Sequence, residues 1–364
     1  MRKNNRFSTG MASKMTIGLD LGDRHSYFYT LDSSGENLES GRVQTTKSTL
    51  EKRFRNCEAA RVVIEAGTHS PWVSRLLAEC GHEVLVANPR KLALITQNDS
   101  KDDPVDAELL ARLGRVDPQL LSPIEHRGAQ AQADLAVIRA RDAVVAARTQ
   151  LVNHVRGAVK SLGSRMASCS TRSFAQKAAS QLPTDLRFAL EPLLEVIAAM
   201  TRQINGYDRQ IEDACREKYP ETELLRQVTG VGAVTSLTFV LTLENPHRFA
   251  RSRSVGSFLG LRPGQDKSGE QDPELRITKG GDQLLRRLLV GSAQYILGPF
   301  GPDCDLRRWG LKLASRGRKN AKKRAVVAVA RKLAVLLHRL WVNGEVYDPL
   351  YQAQRHPVSQ EVSA

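Results

Sequence analysis

Two kinds of hydrophobic patterning divide the chain. "MTIGLDLG" (15–22) and "HSYFYTLD" (25–32) are short apolar or alternating runs parted by a polar, glycine-containing turn, and they predict a hairpin of two strands. A third strand is expected over 38–44. After a charged helical stretch, "ARVVIEA" (60–66) reads as a buried strand. "SPWVSRLLAECG" reads as a helix with proline at its start and glycine past its end, and "HEVLVANP" (82–89) as another strand. Three strands, helix, strand, helix, strand is the order of an α/β domain with a mixed sheet.

From about 129 to 218 the strand signals vanish. "LAVIRARDAVVAARTQLVNHVRGAVKSLG" and "LEPLLEVIAAMTRQINGYDRQIEDACREK" carry apolar residues at helical spacing with charges between them, predicting two long antiparallel helices, a coiled-coil arm. "LLRQVTGVGAVTSLTFVLTL" (224–243) predicts two helices around a Gly-Val-Gly turn, followed by glycine-rich loops and a basic helical end. The expected divisions are a basic tail (1–14), the α/β domain (15–128), the long-helix region (129–218), a mainly helical carboxy-terminal domain (219–345) and a tail (346–364).

Charge narrows the class of partner. Fifty-four lysines and arginines against 39 acids leave a formal net charge of +15. Such an excess points to a polyanion, because neutralising phosphates releases condensed counterions. The five cysteines are scattered without a C-x-x-C pair, so neither a zinc site nor a disulfide framework is suggested and a reducing compartment is expected. The opening residues lack the apolar segment of a signal peptide, and the longest apolar stretch near the end is broken by Arg331, Lys332 and Arg339. A soluble, cytoplasmic, nucleoid-associated protein with no membrane partner is the expectation.

Against this basic background, "SKDDPVDAELLARLGR" (100–115) gathers Asp102, Asp103, Asp106 and Glu108. Asp103 precedes Pro104 and so sits where a helix N-cap belongs, with Asp106 three residues on; capping and opposing the helix dipole would account for both. The same spacing puts both on one face of the first turn. Asp20 in "IGLDLG" and Glu65 in "RVVIEA" lie at the ends of apolar strands, where an ionised carboxylate is costly to bury without a cation. Acids at adjacent strand ends, facing a pair on a helix start, suit Mg2+. Two such ions clamp the attacking and leaving oxygens of a phosphodiester.

The basic residues are equally localised. Leu306 to Lys332 holds eleven lysines and arginines and no acid, with Arg316, Arg318, Lys319, Lys322, Lys323 and Arg324 at its centre as candidate nucleic-acid contacts. Gly230 and Gly232 permit close backbone approach to a phosphate, although a plain helical turn explains their spacing equally well. Lys279 in "ITKGG" and Lys267 beside Ser268 in "DKSGE" are further candidates. Trp309 is read either as a base-stacking platform or as packing.

"IGLDLG", "VVIEAGTHSPW" and "KDDPVDAELLAR" resemble the Asp-Glu-Asp-Asp signature of the DEDD insertion-sequence transposases, the family numbered one hundred and ten. "RFARSRSVGSFLGLRPGQDKSGE" followed by "RITKGGDQLLRRLLVGSA" resembles that family's second domain. The resemblance implies a RuvC-like (RNase H-like) amino-terminal domain. It implies that Asp20, Glu65, Asp103 and Asp106 form a catalytic tetrad binding Mg2+, two ions per site with Mn2+ able to substitute. It implies that Ser268 is a nucleophile joined covalently to DNA, with Ser254 and Ser257 as competing assignments. It further implies donor and target DNA as substrates, a structured noncoding guide RNA and a homo-oligomer, dimer or tetramer. The family usually has threonine at the place of Asp102 and often lysine near that of Asp23. A site-specific DNA invertase is the nearest alternative, and a RuvC-like hydrolytic nuclease would need the tetrad but not Ser268. An actin-like ATPase or sugar kinase would suit "IGLDLGDRHSYF" but lacks its second phosphate loop here.

Overall fold

The computed structural model describes residues 15–91, 102–266, 268, 275–317 and 320–351. Lys267, Arg318 and Lys319, and the two tails apart from 346–351, lie outside the described residues. The chain forms two compact units that divide between Ala129 and Gln130.

The amino-terminal unit is built on a five-stranded mixed sheet of order β3-β2-β1-β4-β5, from β1 (Thr16–Asp20), β2 (His25–Leu31), β3 (Asn37–Gln44), β4 (Arg61–Glu65) and β5 (Glu83–Ala87). β1, β2 and β3 are antiparallel neighbours, and β4 and β5 run parallel to β1. Because successive side chains alternate across a sheet, Ile17, Leu19, Val62 and Ile64 pack with α1 (Lys47–Arg55) and α2 (Ser70–Glu79). Val63 and Leu85 point to the opposite side, against Leu110 of α3 (Asp103–Val116). Arg61, buried at the start of β4, pairs with Glu83 and donates from Nη1 to the carbonyl of Gly114 at 3.0 Å, tying the last turn of α3 to the sheet.

α3 lies directly on β1 because Gly18 has no side chain. A Cβ there would come within 1.9 Å of the Ala107 carbonyl oxygen and 2.5 Å of the Ala111 nitrogen. Both obstacles are helix backbone, which cannot swing aside. Gly18→Ala is therefore expected to lower the stability of this unit by about 2–3 kcal/mol, as overpacking of a rigid contact does. Thermal denaturation checks this, and an unchanged melting temperature would rule out so close an approach.

In the carboxy-terminal unit, α4 (Ala129–Ser161) and α6 (Thr184–Glu217) are the two long helices, with α5 (Phe174–Ala179) packed at their far end. They run antiparallel: Arg141 donates to Asp208 at 2.5 Å and Arg148 to Thr201 at 3.1 Å. Val152, Val155 and Val159 meet Leu190, Leu194 and Ile197 at one end, and Leu135 and Ile138 meet Ile211 at the other. The remaining helices are α7 (Thr222–Arg226), α8 (Ala233–Leu243), α9 (Arg253–Phe258), α10 (Gln283–Leu297), α11 (Asp305–Ala314) and α12 (Ala321–Asn343). Their shared core includes Phe239, Val255, Leu289, Val329 and Leu333. Two crossed ion pairs join α4 to the start of α10: Arg139 with Asp282 at 3.2 Å, and Asp142 with Arg287. Asp282 also caps α10, accepting from the Leu285 amide at 2.9 Å. Among the described residues no helix is long and apolar enough to cross a membrane.

Candidate functional site

Asp20 is the last residue of β1 and Glu65 the last of β4. The two strands are parallel neighbours in register up to Leu19 and Ile64, so the acids end adjacent strands on the same edge. The close approach at Gly18 then places the first turn of α3, with Asp103 and Asp106, over that edge. Asp103 is not the N-cap that the sequence suggested. Asp102 holds that position and accepts no capping hydrogen bond through its side chain, while Asp103 is already helical. An Asp-Asp-Pro run leaves a one-residue ambiguity that local pattern does not resolve.

The electrostatics show how tightly like charges are gathered. Burial first, and then the charges of Asp103, Asp106 and Glu65, together push the Asp20 carboxyl up to about 6, against a hydrogen bond from the Leu21 backbone. Among the described residues no group of three or more His, Cys, Asp or Glu side chains is already arranged to hold a metal ion. The charges of Asp103, Asp106 and Glu65 all reach Asp20, but no three of the acids form a ready-made metal site.

A raised folded-state pKa has a definite sign in stability. The folded form holds the Asp20 proton more tightly than the unfolded chain, so this contribution is present below about pH 4 and is lost as pH rises through about 6. With allowance for partial solvent access the cost at neutral pH is about 1–2 kcal/mol. Asp20→Asn is expected to melt a few degrees higher than the unsubstituted protein at pH 7.5 in chelator, and to lose the pH dependence between 4 and 6. Millimolar Mg2+ should raise the melting temperature of the unsubstituted protein and not that of Asp20→Asn. Identical pH curves for the two proteins would contradict the charge cluster.

Beside this edge lie residues that the sequence pattern did not single out. The Trp72 indole donates to His69 Nδ1 at 3.2 Å, so His69 presents its Nε2 proton to exposed Asp23 at 3.4 Å. The Ser70 hydroxyl donates to the Gly67 carbonyl at 2.8 Å and meets His126 Nε2 at 2.8 Å; burial, with the nearby charges of Arg75 and Arg127, holds His126 below the usual histidine range. "AGTHSPW" thus forms a braced turn immediately after Glu65. The only signal in the sequence was the density of polar residues between a strand and a proline.

The second group of predicted residues is in the carboxy-terminal unit. Pro263 bridges Ile277, the Gly264 amide donates to the Arg276 carbonyl at 2.9 Å, and the Thr278 amide donates to the Arg262 carbonyl at 2.9 Å. These contacts make a short two-stranded ribbon, and Ser268 is exposed on the chain between its two sides. Lys279, also exposed, has a φ of 55°, uncommon for a residue with a Cβ. Ser254 and Ser257 lie instead on α9, where Val255 and Gly256 are buried.

Gly230, with a φ of 88°, and Gly232, the residue before α8, line an open groove of about 560 Å³ together with Thr235, Arg287, Gly291 and Tyr295. Nothing stands over Gly232 or Gly291 within 4 Å of where a Cβ would be, so bare backbone faces the groove. Arg316, Lys322, Lys323 and Arg324 are exposed around the start of α12. Trp309 packs against the core with the Lys332 amine 4.2 Å above its ring, which favours the packing alternative over a free stacking platform.

Comparison with known proteins gives this arrangement a context. A family model described as a transposase, that of the DEDD transposases of IS110, matches residues 17–163. A second, described as the transposase IS116/IS110/IS902 family, matches residues 222–302. The chain is similar to the transposase for insertion sequence element IS1111A of Coxiella burnetii, 25% identical with 91% of this chain and 90% of that protein covered. It is also similar to the transposase for insertion sequence element IS1328 of Yersinia enterocolitica, 24% identical with 93% and 100% covered. Since the two family models match in order, one across the carboxylate edge and the other across the glycine groove and serine ribbon, the chain belongs to the IS110 family of insertion-sequence transposases, enzymes that cut and rejoin DNA.

Proposed function

We propose that this transposase exchanges DNA strands by transesterification through Ser268, assisted by Asp20, Glu65, Asp103 and Asp106 acting with magnesium. The observation that carries the reading is the convergence of three acidic charges on Asp20 at the edge of a sheet of order β3-β2-β1-β4-β5. That order, with its antiparallel hairpin and two parallel strands, supports a RuvC-like reading of the domain. The donors are all hard carboxylate oxygens, and their mutual repulsion is what a divalent cation relieves, so the residues fit magnesium. When bound, magnesium supplies charge neutralisation and polarises phosphate oxygens. Its binding entails side-chain movement, since no three of the acids form a ready-made metal site.

The serine reaction balances without an external energy source. The Ser268 oxygen forms a bond to phosphorus as the bond from phosphorus to a sugar oxygen breaks; the serine loses its proton and the departing sugar oxygen gains one. Attack of a sugar hydroxyl on the phosphoserine then reverses those changes, restoring Ser268 and sealing a new strand. One phosphoester replaces another in each step, so the DNA stays ready for rejoining. A hydrolytic nuclease would transfer the strand to water and lose that bond.

Lys279, the backbone of the Gly230–Gly232 groove and the exposed cations around α12 are read as contacts to phosphate, and Lys267, Arg318 and Lys319 remain candidates on the sequence alone. A field of this size serves RNA as well as DNA, which supports the reading of a guide RNA whose base pairing chooses the DNA. The long helices α4 and α6 are read as a coiled-coil arm through which copies associate. The test is to purify the protein with its bound nucleic acid, sequence the RNA and DNA recovered, and incubate it in Mg2+ with a nicked suicide DNA. A covalent adduct mapped to Ser268 and a recurrent structured RNA support the proposal. Free DNA ends without an adduct would favour the hydrolytic nuclease.

A further inference from the structure

The ribbon carrying Ser268 leaves and re-enters its unit at one crowded point. Its outgoing side begins at Gly260, just after α9, and its returning side ends at Gly281, just before α10. The two glycines interlock. Gly260 has a φ of 66° and its Cβ would lie 2.2 Å from the Gly280 nitrogen; Gly281 has a φ of 69° and its Cβ would lie 2.1 Å from the Phe258 carbonyl oxygen. Neither position has room for a side chain that could lock the junction from within. The lock comes from outside. Arg286, in the first turn of α10, donates from Nη1 to the Leu259 carbonyl at 3.1 Å and to the Gly280 carbonyl at 2.5 Å, one acceptor on each side of the ribbon base. The Asp282 carbonyl lies 3.5 Å from the same nitrogen.

The geometry points to Arg286 as a positioning residue for strand transfer. By joining the Leu259 and Gly280 carbonyls it fixes the base of the ribbon, and so the place at which Ser268 and Lys279 meet the DNA. This rests on the reading of Ser268 as the nucleophile. Arg286 touches no reacting atom in this arrangement; it acts through the backbone of the two segments. The left-handed Lys279, whose amide donates to the Gly260 carbonyl at 3.1 Å, is held beside that clamp in a conformation a free chain would avoid. A lysine in place of Arg286 would keep the charge but offer a single ammonium instead of a rigid planar fork.

The test uses the full chain with Arg286→Ala and Arg286→Lys and three readouts: the rate of adduct formation on the suicide DNA, DNA affinity, and native-state amide exchange. In Arg286→Ala, adduct formation is expected to slow by about tenfold or more, since small misplacements of reacting groups are costly. DNA affinity should stay within about twofold, because many phosphate contacts share it. The Thr278 and Lys279 amides should exchange about tenfold faster while those inside α10 and α12 are unchanged. Arg286→Lys should fall between, and carries the same comparison if the alanine variant does not fold. A folded Arg286→Ala that forms adduct at the unsubstituted rate overturns the inference, as does exchange that quickens uniformly across the unit. If the adduct of the unsubstituted protein maps to another residue, the Ser268 reading fails by itself. Exchange then decides for Arg286: selective acceleration at Thr278 and Lys279 upholds its hold on the ribbon, and none overturns it.

Discussion

Ser268→Ala is expected to abolish the covalent protein–DNA adduct and to lower strand exchange on the order of 10⁴-fold or more, the scale on which losing a nucleophile acts. DNA affinity should stay within about twofold, because one hydroxyl contributes little to a large electrostatic interface. The split between chemistry and binding is what identifies a nucleophile; a ribbon that merely held DNA would lose both together. All three serines are exposed, but Ser268 lies between the two sides of the ribbon, whereas Ser254 and Ser257 belong to a short helix anchored by buried Val255 and Gly256. The measurements are adduct trapping with peptide mapping and a titration of DNA binding at fixed salt. An adduct retained in Ser268→Ala and mapped to Ser254 or Ser257 would transfer the assignment.

Asp103→Asn is expected to reduce strand exchange on the order of 10²–10³-fold, as removal of a preorganised charge at a reacting centre does, whereas Asp102→Asn should leave it within about threefold by the same reasoning. The distinction comes from the helix start. Asp103 and Asp106 are three residues apart in the first turn, and their charges are the ones from this helix that raise Asp20. Asp102 is in extended backbone with a φ of −137° and precedes that turn. Asn is close to isosteric with Asp, so circular dichroism and melting curves should show both variants folded. Loss of activity in Asp102→Asn with retention in Asp103→Asn would exchange the two roles.

The sheet was legible because its strands are short apolar or alternating runs parted by polar turns and helices: each predicted strand agrees with β1 to β5 to within one or two residues. The acids at the ends of β1 and β4 stood out for the same reason, since a carboxylate closing an apolar run has no packing explanation. What escaped the sequence depends on contacts between distant segments. Nothing in "IGLDLG" announces that Gly18 touches Ala107, the approach that puts the helix acids over the strand ends. Asp103 was assigned the capping position because proline follows it, yet the helix begins at Asp103 itself. The role of Arg286 was not legible at all, because its acceptors, backbone carbonyls, have no signature in the side-chain pattern.

The crossed pairs of Arg139 with Asp282 and Asp142 with Arg287 join positions 143 and 145 residues apart, each segment contributing one cation and one anion. A match of this kind works as a two-character password. A relative with the same charges in the same order would accept a grafted arm, whereas one with the order reversed would place like charges opposite each other twice. A graft of the arm from another family member is thus expected to fold best when these four side chains come from one parent, with thermal denaturation of matched and mismatched grafts as the check. Because Arg287 also lines the Gly230–Gly232 groove, a change in the password at that position reaches a surface read as a contact to phosphate.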